Sequence, residues 1–445
     1  MALERSVYRN LAAWKNSHDH KALLIDGARQ VGKTFAIREF AKKYYRTSLE
    51  INFVETPSAK SIFEGDLDAD TLIANLTAFS RERLYPNNTL VFFDEVQECP
   101  RARTAIKFLV DDGRLDYIES GSLLGVSHQN VPSLPVGYER ALHMYPLTID
   151  EFFSACGVDE SVTSRVRELC EGGRPIPDAI HERLTRLFRI YLAVGGMPAA
   201  VQRYVVTHDL AQVLLDQRTI LDLYRQDITK YANDKAHVRA IFDALPSELD
   251  AKNKRFKLSD LSKSARSERY ASDFMWLADS GVALPCYNTT APQLPLEVNK
   301  KHNLFKLFLC DVGLLSAASS APTQFDLIQG NLSINWGSFL ENALAQEFAA
   351  RGFKLYYFDR QRLGEVDFLL QRNARVLPVE AKSGKDFRAH ASLDNLLDVA
   401  EWDLDEAIVF CSGNVKRDGK VTYLPWYAAS FLEQGQGLES FVVLP

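Results

Sequence analysis

The chain has 445 residues, 46% of them hydrophobic and 25% charged, with a net charge of −6. That length exceeds a single core and implies about three domains, and the acidic balance leaves any nucleic-acid contact to a local basic patch. Six scattered cysteines without a C-x-x-C pair exclude a disulfide framework and a cysteine-built zinc site, which fits a reduced, cytoplasmic setting. No apolar run approaches the roughly 18 residues of a membrane span, and the polar opening Met1 to Arg9 does not read as a signal peptide, so no membrane partner is expected.

Residues 1 to about 20 read as an entry helix with a polar end, Lys15 to His20. Ala22-Leu23-Leu24-Ile25 then forms an apolar run, expected to be a buried parallel strand. It leads into Gly27-Ala28-Arg29-Gln30-Val31-Gly32-Lys33-Thr34, the spacing G-x-x-x-x-G-K-[ST] of a phosphate-binding loop. Ile37, Phe40, Ala41 and Tyr44 follow at the spacing of one helix face. In this setting the glycines turn backbone N–H groups around an anion, and the helix N-terminus adds partial positive charge. Lys33 is expected to bridge the outer phosphates and the Thr34 hydroxyl to bind Mg2+.

Ser48 to Phe53 reads as a second strand, and Leu72, Ile73, Leu76 and Phe79 mark a helix over 70–83. Thr89-Leu90-Val91-Phe92-Phe93-Asp94-Glu95 is an apolar run ending in two carboxylates. Asp94 is expected to hold Mg2+, mostly through water, and Glu95 to orient and deprotonate the attacking water. Pro100 starts a further helix, and Tyr117 to Ser122 reads as another strand. Strands alternating with helices imply a parallel sheet covered on both faces, with ligands at the carboxyl ends of its strands, where Lys33, Asp94 and Ser120 all fall.

From about residue 150 the pattern turns helical, over 168–200 and 210–231, as suits a helical lid; Gly195-Gly196 and Pro198 break the first of these, and a tight backbone approach between helices accounts for the glycines. Residues 235–330 resemble a winged helix, with short helices over 257–265 and 267–279 and a strand opening at Gly281. Lys252, Lys254, Arg255, Lys257, Lys263, Arg266 and Arg269 could track DNA phosphates on such a fold, or form a protein-docking face.

In the last segment, 331–445, strands are expected over 354–358, 364–370 and 376–382. Period-two alternation puts Glu380 and Lys382 on one side of their strand. Asp367 and Glu380 could share a Mg2+ or Mn2+ ion, Glu341 on the preceding helix could complete its shell, and Lys382 could steady a hydroxide and the scissile phosphate. This set resembles the PD-(D/E)XK nuclease core, although Val366 stands where the motif has Pro. Two readings stay open: a metal-competent site, and a nuclease-like scaffold that is inactive or whose acids only bind nucleic acid.

The chain as a whole resembles the prokaryotic AAA+-type ATPases that carry a C-terminal domain of unknown function. The likeness rests on the loop Gly27 to Thr34, Asp94-Glu95-Val96-Gln97, Ser120-Gly121-Ser122, Arg140 before Tyr145-Pro146-Leu147-Thr148, and Glu151-Phe152. It continues in Tyr191 to Pro198, Phe305 to Leu315 and Gly337 to Asn342. The resemblance implies ATP as the nucleotide, a sensor at Ser120 or Ser122, and Arg140 near the γ-phosphate or a neighbouring subunit, so that a homo-oligomer is allowed; the alternative for Arg140 is a surface salt bridge. The expected fold is thus α/β: a P-loop parallel-sheet ATPase core over 1–150, a helical lid over 151–234, a winged-helix domain over 235–330 and a PD-(D/E)XK-like α/β domain over 331–445. The expected function is ATP binding and hydrolysis coupled to a DNA-binding, nuclease-like half, or to a regulator acting through protein contacts.

Overall fold

A computed structural model describes residues 3–17, 19, 21–122, 133–251, 267–319, 321–329 and 336–435. The chain divides into two compact units, one of residues 5–145 with 279–282, the other made mainly of 146–278 and 283–445.

The first unit is built on a five-stranded sheet of order β2-β3-β4-β1-β5, every neighbouring pair parallel. The strands are β1 (Ala22–Asp26), β2 (Thr47–Asn52), β3 (Thr89–Asp94), β4 (Asp116–Ser120) and β5 (Glu139–His143). Helices α1 (Val7–Lys15), α2 (Lys33–Tyr44), α3 (Ala69–Phe79) and α4 (Pro100–Asp112) surround it. Because both faces are covered, β3 is buried along its whole length and its apolar run shows no alternation. Phe53, Phe63 and Phe93 pack edge-on or tilted at centroid distances of 5.4–6.0 Å. β5 gives no apolar signal because it is an edge strand whose residues are half-buried or exposed. Helix α3 ends at Phe79, short of Arg83, since Ser80 has extended backbone.

A buried acid sits on β4. Glu119 is fully buried beside Glu139, whose carboxylate takes the Arg103 guanidinium at 2.8 Å. Burial, and then the Glu139 charge, push Glu119 well above the usual carboxylate range, with Arg103 pulling the other way. A carboxyl whose pKa rises on folding costs stability as pH climbs above its unfolded value of 4.5. Glu119→Gln is therefore expected to raise the melting temperature, and by more at pH 8 than at pH 5; a larger loss at pH 8 would mean that Glu119 is a charged partner of Arg103.

The second unit combines helices with an eight-stranded mixed sheet. Its helices are α5 (Ile149–Ala155), α6 (Glu160–Glu171), α7 (Asp178–Val194), α8 (Pro198–Thr207), α9 (Leu210–Tyr231), α10 (Lys235–Asp250), α11 (Ser267–Asp279), α12 (Val312–Ser319), α13 (Ala321–Gln329), α14 (Trp336–Ala350) and α15 (Ala391–Leu397). The helix expected over 168–200 is three separate helices, because Gly172-Gly173, Pro175 and Pro177 end α6 before Gly195-Gly196 ends α7.

The strands β6 (Ala283–Thr289), β7 (Lys300–Leu309), β8 (Tyr356–Arg360), β9 (Gly364–Arg372), β10 (Arg375–Ala381), β11 (Ala407–Cys411), β12 (Lys416–Asp418) and β13 (Val421–Pro425) lie in the order β12-β13-β11-β10-β9-β8-β6-β7. The strand opening near Gly281 does not stand free as a wing. β6 pairs antiparallel with β7 and parallel with β8, Tyr287 opposite Tyr356. The basic stretch from Lys252 to Arg266, with the helix expected over 257–265, lies outside the described residues.

The glycines at the end of α7 meet a loop and a buried carboxylate. Asp311 is fully buried and accepts from Gly196 N at 2.5 Å, Leu314 N at 2.9 Å and Gln346 Nε2 at 3.4 Å. Gly195 has φ 72°, and a Cβ there would strike Asp311 and lie 2.7 Å from Gly313 N; one on Gly196 would lie 2.7 Å from Leu147 N. Helix α14 closes the same knot: Asn342 exchanges hydrogen bonds with Leu309 N (2.9 Å) and O (3.1 Å), and Gln346 accepts from Val312 N at 2.9 Å. The segments Tyr191 to Pro198, Phe305 to Leu315 and Gly337 to Asn342 thus meet in one polar core.

Candidate nucleotide site and C-terminal acid cluster

The phosphate loop joins β1 to α2. Gly27 has φ 133°, and any Cβ there would run into the Met144 carbonyl just past β5; Gly32 caps α2 at φ 93°, a left-handed conformation that side chains resist. Arg5 grips the loop from outside, donating to Val31 O at 3.2 Å and Tyr145 O at 2.6 Å. The turn at Gly281 packs on its start: a Cβ there would lie 2.8 Å from Ala28 N.

Lys33 is buried, its Nζ donating to Gly27 O and Ala28 O at 2.9 Å each. Burial pulls its pKa down to about 8, against the opposing pull of Glu95, Asp94 and Asp26. Asp94, at the carboxyl end of β3, gathers the remaining polar groups. It accepts from Thr34 Oγ1 at 3.1 Å, Asn52 Nδ2 at 3.1 Å and Ser120 Oγ at 2.5 Å. Glu95 follows in a left-handed turn with φ 52°, and its carboxylate takes Gln97 Nε2 at 2.5 Å. Ser122 is buried close by in sequence. The hydroxyl of Thr34 and the carboxylate of Asp94 are hard oxygen donors of the kind Mg2+ takes, and a glycine turn at a helix N-terminus beside Lys33 suits a phosphate chain.

Arg140 does not join this cluster. It sits on β5 opposite Leu23, three register positions before the end of β1 that bears the loop, and pairs with Asp19 at 2.8 Å on the surface. Asn52 and Arg5 are the polar contributors that motif reading missed. Asn52 closes β2 with no motif of its own, and Arg5 reaches the loop only through folding.

In the second unit Asp367 and Glu380 fall on adjacent antiparallel strands, next along the ladder from the Phe368–Val379 pair. Asp367 Oδ2 accepts from Ala381 N at 2.8 Å, and Lys382 Nζ lies 3.3 Å from Glu380 Oε2. Burial and the Asp367 charge push Glu380 well above the usual carboxylate range. Glu341 is engaged elsewhere. The ammonium of Lys306, on β7 and fully buried, lies 3.4 Å from Glu341 Oε2 and 2.6 Å from Glu365 Oε1. Burial alone would depress Lys306, but Glu341, Glu365 and Asp367 outweigh it and hold the ammonium charged. Among the described residues, the trio of metal-type ligands whose atoms all lie within 4.8 Å is Asp234, His237 and Asp273, not Glu341, Asp367 and Glu380. The expected three-carboxylate metal shell does not fit as drawn, because one of its members is already neutralised by a lysine. The signal for that lysine was a lone cation in the apolar run Phe305-Lys306-Leu307-Phe308-Leu309.

Residues 19–153 match the AAA domain family. The first unit is an AAA-type P-loop ATPase domain. Two further matches carry no activity: a domain of unknown function, DUF8612, over 185–324, and another, DUF4143, over 336–428. No curated protein matches the chain. Among solved structures, the Aeropyrum pernix Orc1 protein in complex with DNA is 12% identical, with 74% of this chain and 93% of that one covered at a TM-score of 0.26. Thermotoga maritima RuvB T158V is 14% identical over 66% and 91% at a TM-score of 0.31. Cdc6p from Pyrobaculum aerophilum is 14% identical over 73% and 93% at 0.24. Likeness at this level carries no argument about partners. No helix among the described residues is long and apolar enough to cross a membrane.

Proposed function

We propose that this AAA-type ATPase binds Mg-ATP on residues 27–34 and uses the nucleotide cycle to change how its second unit engages a target. The supporting observation is the clasp on Asp94, which ties the loop threonine, the end of β2 and the end of β4 to one carboxylate. In this reading Lys33 exchanges its two carbonyl partners for the outer phosphates, and Thr34 and Asp94 hold Mg2+, which neutralises developing charge on the phosphates. Glu95 takes the proton of the attacking water, and Ser120 registers the state of Asp94 through their hydrogen bond. Steady-state phosphate release by purified protein with ATP, with and without Mg2+, tests it; a protein that releases no phosphate under any condition is not this ATPase.

For the target we propose DNA, bound through the basic stretch between α10 and α11. Lys254, Arg255 and Lys257 changed together to Ala are then expected to weaken binding to all sequences alike. The log–log salt slope should flatten by up to about 0.9 for each phosphate no longer neutralised. An unchanged slope would move this stretch to protein docking. Two readings of the acid cluster remain under this proposal. Cleavage is favoured by the convergence of Asp367, Glu380 and Lys382, and binding without cleavage by the capture of Glu341.

A further inference from the structure

We propose that Lys306 is the resident cation of the C-terminal acid cluster, standing in for the divalent metal that a nuclease core would need, so that this half engages its target without cutting it. The inference rests on the nuclease-like reading of residues 331–445. Four carboxyl groups from three elements share one neighbourhood: Glu341 from α14 and Glu365 and Asp367 from one face of β9 all act on Lys306, and Asp367 acts on Glu380 from β10. Glu341 and Glu380 are buried and the β9 pair half-buried, and carboxylates gathered this way repel one another and need a cation among them. Lys382 answers Glu380 at the rim, where it stays partly exposed. The interior is answered by Lys306, fully buried on Glu341 and Glu365, with its ammonium 5.0 Å from the Tyr357 ring centroid. A buried ammonium paired on two sides, with an aromatic face beside it, is a completed ion-pair network. A metal entering beside Glu341 would meet that positive charge and would have to displace a fully buried side chain from both of its ion pairs.

The test uses the full chain without nucleotide, so that the ATPase unit presents no Mg-nucleotide, and follows Mn2+ binding by electron paramagnetic resonance. Wild type is expected to show no bound Mn2+ that depends on Asp367, judged against Asp367→Asn. Lys306→Met is expected to gain one such ion and to lose it again in the Lys306→Met/Asp367→Asn double variant; any ion held by Asp234, His237 and Asp273 is common to both variants and cancels in the comparison. If Lys306→Met does not fold alone, Mn2+ present during refolding is expected to restore it, and failure of Mn2+ to do so overturns the proposal. Asp367-dependent Mn2+ binding by wild type overturns the proposal while leaving the nuclease-like reading intact. A well-folded Lys306→Met that gains no ion overturns both.

Discussion

Glu95→Gln is expected to keep ATP binding near wild type while lowering hydrolysis by about 10²–10⁴-fold, the usual contribution of a positioned general base. The change removes only the proton acceptor: Glu95 stands one residue beyond the Asp94 clasp, and an amide keeps its volume and a partner in Gln97. Lys33→Ala is expected to fail one step earlier. It deletes the cation that meets the outer phosphates, and it leaves the Gly27 and Ala28 carbonyls without their 2.9 Å donor. Nucleotide affinity by fluorescence titration beside phosphate release separates the two; near wild-type turnover by Glu95→Gln would reject its role as the base.

Asp311→Ala is expected to cost about 3 kcal/mol or more, since it strands the buried Gly196 and Leu314 N–H groups and empties the knot that joins α7, α12 and α14. The loss depends on pH in a fixed direction. Burial pushes the carboxyl up to about 6 against its hydrogen-bond donors. A raised carboxyl costs the wild type stability as pH climbs from 3.8 through 6, a cost the alanine variant does not carry. The gap between the two is therefore expected to be wider at pH 4 than at pH 7. Urea midpoints at the two pH values check this; an equal gap would mean that folding leaves the Asp311 carboxyl unshifted, and a gap wider at pH 7 that the fold holds it charged.

The parts legible in the sequence are those whose chemistry is local. The phosphate loop is a contiguous spacing between a strand and a helix, and the Asp94–Glu95 pair ends a run apolar enough to be a buried strand. β5 was not legible, because an edge strand whose residues are all half-buried or exposed carries no periodic apolar signal. Motif order leaves Arg140 open between the nucleotide, a neighbouring subunit and a surface salt bridge; the register on β1 and the Asp19 pair become visible only in the fold. Lys306 and Gly281 were hidden for a different reason. One meets its partners on α14 and β9 and the other meets Ala28, and both distances in sequence are bridged only by the fold. The break between α6 and α7 is spelled out in Gly172-Gly173, Pro175 and Pro177, but Gly195-Gly196 further on is the more conspicuous signal.

The eight-stranded sheet bears on how the chain can be dissected. Two of its strands, β6 and β7, come from before α14, so the C-terminal α/β portion is not a self-contained module. A fragment cut at residue 331 would leave β8 as a bare edge, its row of unpaired backbone groups facing solvent and open to pairing with other chains. It would also shed Lys306 and keep every acid that lysine answers. Such a fragment is expected to aggregate, or to scavenge metal that the intact protein leaves alone. Any cation dependence measured on it would then describe the cut rather than the protein, and a faithful excision begins before Ala283.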